Sequence, residues 1–193
     1  MKISFLKTLI LASAVCTMTG LTACNNKPDD AKEAAEDRND KVMDDNKSEK
    51  DAQFLVDAAD INLMEIDMAR MAMASATMPD VKDFAKKMEA DHQKAYDEVA
   101  ALATSKNVTI PGSVSDEGMK HHKDLADKTG YDFDRAFMND MIDGHEKAIN
   151  KFEKASDDCQ DAEIKDMAGK MLPTLNAHLA EAKVIKEKVK DMK

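Results

Sequence analysis

The sequence predicts an all-α protein whose main part is a four-helix bundle. Apolar residues recur every three or four positions over four long segments, which is the pattern of helices that bury one face. The only candidate strand, residues 108–110, is too short to pair alone. With 43% hydrophobic residues in a chain of 193, one compact domain with appendages is expected.

The first 23 residues predict a secretory signal that lies outside the fold. They combine Lys2 and Lys7 with an apolar run of about a dozen residues, too short to span a membrane. The run ends in Leu-Thr-Ala-Cys, which resembles the lipobox of bacterial lipoproteins. The resemblance implies cleavage before Cys24 and attachment of lipid to its thiol, with multiple acyl chains as a stable membrane anchor. The next residue is Asn25 and not the aspartate that retains well-studied lipoproteins at the inner membrane, so we expect an outer-membrane lipoprotein. No residue indicates which side of that membrane it faces, and our expectation is the periplasm.

Residues 24–47 predict a flexible acidic tether behind the lipidated cysteine. Val42 and Met43 are its only sizeable apolar residues, so the segment cannot bury enough surface to offset the entropy of ordering. A transient helix around residues 31–37 is the most order that we expect there. The bundle domain then covers residues 48–193.

Two long helices form the first predicted hairpin of the bundle. Ser48 is a suitable N-cap for a helix that runs to about Ala76. Pro79 opens the next helix at the position where its missing N–H is harmless. The short link between the two helices predicts that they pack as antiparallel neighbours.

A long crossover leads to the second predicted hairpin. Proline and glycine residues end the helical pattern at about residue 107, and a short helix over residues 119–128 is predicted within the crossing. A third helix spans about residues 132–156. A fourth begins near Asp161, and Pro173 should kink it or remove one backbone hydrogen bond. Short links within each pair and a long link between the pairs are the connectivity of ferritin-like bundles.

Each long helix carries an ionisable residue in its apolar line. A buried charged group costs several kcal/mol unless it is paired or bound to a metal, so something must satisfy these side chains. The residues are Glu65, His92, His145 and His178. Glu89 adds the Glu-x-x-His spacing with His92 that ferritin-like di-iron proteins use on two helices. Neither of the last two helices repeats that spacing, so a complete di-iron site is not predicted.

Three interpretations of this polar line remain open. The sequence narrowly favours a structural hydrogen-bond network, in which Asp91, Asp134 and Asp143 are candidate partners. The alternative is a transition-metal site for iron or copper, and the third is a di-iron oxidase or peroxidase. The candidate metal ligands are Glu65, Glu89, His92, His145 and His178. A rise of about 1.5 Å per residue places His178 roughly 9 Å off the level of His145, which makes it the weakest member.

Composition bears on two further possibilities, binding of nucleic acid and ligation of Cu(I) by methionine. A formal net charge of −10 disfavours nucleic acid as a partner, and no protein partner can be identified. The many methionines follow helix spacing, so core filling is favoured over ligation of Cu(I).

Four segments together resemble a bacterial domain of unknown function commonly labelled "predicted outer membrane protein". They cover residues 54–72, 81–92, 131–156 and 172–183. The resemblance implies a ferritin-like fold without an established enzymatic activity, and it supplies no ligand. The residues that match its recurring motif are Glu65, Asp91, His92, Asp134, His145, Pro173 and His178. One departure is Phe137, where the family often has tyrosine. The expected protein is therefore a non-catalytic envelope lipoprotein, with a role in stress tolerance or partner binding, or alternatively a metal-binding one.

Overall fold

The computed structural model describes residues 30–43 and 46–193, with the side chains of residues 46–48 left out. The predicted signal segment, the lipidation site Cys24 and the first part of the tether lie outside the described residues.

Six helices and no strand make up the regular structure of the described residues, which confirms the all-α prediction. The helices are α1 (Ala31–Asp40), α2 (Asn46–Ser75), α3 (Pro79–Ser105), α4 (Asp116–Ala126), α5 (Gly130–Asp158) and α6 (Ala162–Val189). No helix in this part of the chain is both long enough and apolar enough to cross a membrane. The helix α6 continues through Pro173, whose ring nitrogen cannot donate to the carbonyl of Gly169.

The four long helices form two hairpins that pack into one bundle. The helix α2 packs along α3, and α5 packs along α6. The crossover between the hairpins carries α4, which lies against α2 and α5. The apolar interior is divided into two clusters, one containing Phe84 and Phe137 and the other containing Phe54 and Phe152. Three buried histidines, His92, His145 and His178, lie between these clusters.

Each short hairpin link is held by a carboxylate from the other hairpin. Asp134, near the start of α5, accepts hydrogen bonds of 2.8 Å from the backbone N–H groups of both Thr77 and Met78. Asp51, near the start of α2, accepts from the N–H groups of Gln160 and Asp161 at 3.0 and 2.7 Å. Because the N–H groups at a helix start have no partner within the helix, these carboxylates satisfy them and tie the hairpins together.

The helix α1 departs from the flexible tether that the composition predicts for residues 24–47. Asp30 caps it by accepting from the N–H groups of Lys32 and Glu33. Lys32 forms an ion pair of 2.7 Å with Asp57 of α2. The buried Asn39 exchanges two hydrogen bonds of 2.8 Å with the backbone of Thr109. The prediction of a flexible tether considers only the apolar surface that the segment can bury, whereas α1 is held to the bundle mainly by polar contacts.

Replacing Asp134 with alanine should destabilise the fold by about 2 kcal/mol, because two N–H groups lose a charged acceptor at a fully buried position. Denaturation by urea would measure the change. The matched control is Asp132→Ala, since the exposed Asp132 pairs only with Arg135 on its own helix. Equal stability of the two variants would contradict the role given to Asp134.

Candidate metal centre

Three histidines from three helices meet in the middle of the bundle. His92 comes from α3, His145 from α5 and His178 from α6. Their side chains are almost entirely buried, with exposed fractions of 3%, 1% and 1%. Each ring offers one ligand atom, and the three atoms lie within 4.8 Å of one another. The bundle therefore brings three potential metal ligands to one point.

The His92 ring is oriented by Asn62 of α2. The side-chain N–H of Asn62 donates to the carbonyl of Ala58 at 2.7 Å, which leaves the Asn62 oxygen to accept from His92 Nδ1 at 2.8 Å. With the proton on Nδ1, the other ring nitrogen, Nε2, carries a lone pair. This atom is buried and has no hydrogen-bond partner among the described residues.

The other two rings are fixed in the same way. In each, the ring nitrogen that points away from the other histidines, called the outer nitrogen, donates a hydrogen bond. His145 Nδ1 donates to the backbone carbonyl of Met141 at 2.8 Å, so its Nε2 carries the lone pair. His178 Nε2 donates to a carboxylate oxygen of Asp91 at 2.9 Å, so its Nδ1 carries the lone pair. Metal-bound histidines in proteins almost always donate their second ring N–H to such an oxygen.

The spacing of the two closest lone pairs fits a metal better than a hydrogen bond. His145 Nε2 and His178 Nδ1 are 3.4 Å apart, and both are acceptors in the tautomers assigned above. In a tetrahedral site with metal–nitrogen bonds of about 2.0–2.1 Å, ligand nitrogens are about 3.3–3.4 Å apart. The distance therefore matches one edge of a tetrahedral coordination shell, and the two rings would have to approach by about 0.5 Å to suit the flatter geometry that Cu(II) prefers.

Burial keeps the three rings neutral, which is the form that binds metals. Loss of hydration lowers the pKa of His92 well below its usual value, and the neighbouring His145 and His178 lower it further. Burial followed by the proximity of His178 lowers the pKa of His145 to about 4. Burial also lowers the pKa of His178, although Asp91 opposes the shift. The cluster therefore needs no deprotonation at neutral pH before it can accept a cation.

Glu65 lies behind His145, on the side of the ring away from the cluster. One of its oxygens is 3.7 Å from His145 Nδ1, and the other, Oε2, is buried without a hydrogen-bond partner. Burial, reinforced by Asp140, raises the pKa of Glu65 to about 8. The glycine at position 144 makes room for it, because a Cβ there would lie 2.9 Å from the carboxyl oxygen. Glu65 is therefore a neighbour of the cluster and does not share its centre.

The remaining candidates from the sequence fall at different places. Glu89 turns away from the histidines and pairs with Arg70 at 2.7 Å, so the Glu-x-x-His spacing does not form a shared site. Asp134 lies at the link between α2 and α3, as described above. Asp143 is exposed. Of the three aspartates proposed as partners, Asp91 is the one that bonds to a histidine of the cluster.

The predicted offset of about 9 Å for His178 is wrong. Thirteen residues separate His145 from the end of α5 at Asp158, and sixteen separate the start of α6 at Ala162 from His178. The difference of three residues corresponds to about 4.5 Å. Helical side chains also lean toward the N-terminus of their own helix, and in an antiparallel pair these two leans bring the rings toward each other.

Asn62 is the contributor that the sequence reasoning missed. It lies thirteen residues before the end of α2 at Ser75, and His92 lies thirteen residues after the start of α3 at Pro79. Counting levels from the observed helix ends therefore pairs His92 with Asn62. A helix end at about Ala76, as the sequence predicts, places Glu65 nearly level with His92 as well. Asn62 lies four residues after Ala58, which is buried, so the two share one face of the helix. This spacing was a signal that could have identified Asn62.

A family model described as "Domain of unknown function (DUF4142)" matches residues 36–185. The chain belongs to this family. The three histidines, Asp91 and Asn62 all lie within the matched range. No curated protein sequence matches the chain.

Two solved structures share the fold of this DUF4142 chain. One is the crystal structure of a DUF305 fragment from Deinococcus radiodurans, with a TM-score of 0.64 and 14% identity, covering 72% of this chain and 95% of that one. The other is CopM in the Cu(II)-bound form, with a TM-score of 0.61 and 19% identity, covering 72% of this chain and 96% of that one. At these identities the likeness concerns the helical fold.

The metal-free protein should lose stability as the pH rises above 6.5, and Glu65→Gln should abolish that loss. Burial raises the pKa of Glu65 to about 8 in the folded protein from an ordinary value of 4.5, so between these values the unfolded chain releases a proton that the native state keeps. The free energy of unfolding then falls by up to about 1.4 kcal/mol per pH unit. Glutamine does not titrate, which should leave the alkaline side flat.

Chemical denaturation between pH 6.5 and 9 would measure this effect. Glu153→Gln is the control, because Glu153 is exposed on α5. Below pH 6.5 both variants should lose stability, since unfolding lets the buried His145, with a pKa of about 4, take up a proton. Glu65→Gln should lose it more steeply, because down to about pH 4.5 the proton that folded Glu65 keeps offsets part of this loss in the control. An alkaline decline that survives in Glu65→Gln would refute the assignment.

Proposed function

We propose that this protein binds one transition-metal ion, with Cu(II) as the preferred ion, in the three-histidine cluster. The ligands would be His92 Nε2, His145 Nε2 and His178 Nδ1. The observation that carries the proposal is the common orientation of the rings. Each donates its outer N–H to an oxygen and directs its lone pair inward.

A purely structural network accounts for the outer nitrogens and leaves the inner ones unexplained. His92 Nε2 has no partner, and the closest inner contact, between His145 and His178, joins two acceptors. A buried polar atom without a hydrogen bond costs about 1–3 kcal/mol. A bound cation would satisfy all three lone pairs at once. This contrast favours a metal site over the hydrogen-bond network.

The donor set favours copper over iron. Imidazole nitrogen suits copper, zinc and nickel, and Cu(II) binds such sites most tightly among the divalent ions of the first row. Iron in ferritin-like bundles is held mostly by carboxylates, whereas Glu89 pairs with Arg70 and Glu65 lies behind His145. The likeness to CopM, solved with Cu(II), agrees with this choice, although the choice rests on the histidines of this chain.

The cellular location is part of the proposal. Residues 1–23 have the pattern of a secretory signal, and Cys24 ends a lipobox-like sequence. We therefore place the protein on the outer membrane, anchored by lipid and facing the periplasm. The role that follows is binding of copper in the cell envelope, without an enzymatic reaction.

Purified protein exposed to Cu(II) and then desalted should retain one copper ion per chain by mass spectrometry. His145→Ala should lose it, because two inner nitrogens remain. The control is His122→Ala, since His122 pairs with Asp67 on the surface of the bundle, away from the cluster. Electron paramagnetic resonance of the loaded protein should show coupling to imidazole nitrogens. Retention of copper in His145→Ala, or no binding by the folded wild-type protein, would refute the site.

Asp91→Asn should weaken Cu(II) binding about 10- to 100-fold while the stoichiometry stays at one. The carboxylate holds the proton on His178 Nε2 and makes Nδ1 a better donor, and the amide lacks the charge to do so. Competition with nitrilotriacetate would measure the affinity. Asp97→Asn, on the exposed surface of the same helix, should bind like the wild type. An equal loss in both variants would mean that general surface charge, and no specific contact, sets the affinity.

A further inference from the structure

A cleft between α3 and α6 leads from the surface to the histidine cluster. It has a volume of about 320 Å³ and contains His92, His178 and Asn62 among its lining residues. The outer part is lined by exposed side chains of both helices, which are Lys94, Glu98, Lys170 and Thr174. The volume is roughly ten times the share of one water molecule in liquid water. Two of the three proposed ligands therefore line a space large enough for a small molecule.

The opposite side of the cluster is closed by different residues. A cavity of about 290 Å³ lies among α2, α4 and α5 and is lined by Glu65, Asp140 and Gly144, but by none of the three histidines. Glu65 and the backbone of α5 stand between that cavity and the inner nitrogens. Three nitrogen ligands leave at least one position open on an ion that takes four or more. Because His92 and His178 line the cleft and none of the histidines lines the opposite cavity, the cleft is the side from which that position can be approached.

We infer that the cleft between α3 and α6 is the route by which the metal enters and leaves, and that the ion keeps one exchangeable position there for a small monodentate ligand. This inference rests on the proposed metal binding at the histidines. Sites that only stabilise a fold are fully coordinated by protein, whereas sites that act on or exchange their ligands keep a position open. Water or a small anion would occupy it, and the lining carries no excess of one charge, since Asp91 and Glu98 balance Lys94 and Lys170.

An accessible open position also gives the protein a defined exchange chemistry. A small chelator that fits the cleft could reach a bound ion at the open position. The thioether of Met171, which lines the cleft and is 8% exposed, offers a soft donor beside this route.

The open position is tested by adding azide to the copper-loaded protein. A new charge-transfer absorption band that saturates with one azide per copper is expected. Absence of the band at high azide, in protein shown to hold one copper, would mean that the ion is fully coordinated by protein and would overturn this part of the inference.

The route is tested by blocking the cleft at its exposed edge. Thr174→Trp places an indole at that edge, and Ala95→Phe fills the facing wall on α3. Stopped-flow loading with Cu(II) and release to EDTA should both slow by the same factor, on the order of tenfold, because a plug raises the barrier without changing the bound state. The dissociation constant should therefore stay within about threefold of the wild-type value. Asn176→Trp, on another face of α6, is the control and should exchange at the wild-type rate.

The outcomes separate this inference from the proposed function. Wild-type rates in both blocked variants, with copper still bound and still lost in His145→Ala, would overturn the route and leave the three-histidine site intact. A wild-type protein that binds no copper would overturn both. Slowed exchange in Asn176→Trp as well as in the blocked variants would show a general effect of bulk on α6 and would also overturn the route.

Discussion

The burial of three neutral imidazole rings side by side is the constraint on which the centre of this bundle depends. Each ring has two nitrogens, and when the ring is fully buried both nitrogens need a bonding partner inside the protein. The structure assigns the outer nitrogens to Asn62, to the carbonyl of Met141 and to Asp91. Once these three bonds form, the rings cannot rotate and their tautomers are set. The direction of the inner lone pairs follows from that choice.

The rest of the fold holds this polar centre rigid. Aromatic and aliphatic side chains pack above and below it in two separate clusters, so the histidines form the layer between two halves of the core. Asp51 and Asp134 fasten each hairpin to the link of the other, which limits sliding of one hairpin against its partner. Ligand nitrogens on three helices keep a spacing of a few ångströms only if the helices do not slide.

The same arrangement separates two sides with different chemistry. On the side of α3 and α6, His92 and His178 line an open cleft with exposed lysine, glutamate and threonine residues around it. On the side of α2, α4 and α5, the protonated carboxyl group of Glu65 seals the back of His145. A neutral acid fits there because burying a carboxylate charge without a bonded cation costs more than burying the neutral group. One side of the cluster is thus accessible and the other is closed.

Local patterns in the sequence were enough to determine the helical class, the limits of the long helices within a few residues, and the presence of ionisable groups in the buried lines. These features depend on residues three or four positions apart, and a helix keeps such residues together whatever the rest of the chain does.

The tertiary structure alone decided which groups meet. It joined His178 to the cluster, placed Glu65 behind it, turned Glu89 toward Arg70 and supplied Asn62. It also docked α1, which lies in the segment that composition predicts to be a flexible tether. Those outcomes depend on the register between helices, where an error of a few residues at each helix end shifts a side chain by several ångströms. Helix ends and packing fix that register together, and neither can be read from the spacing within one helix.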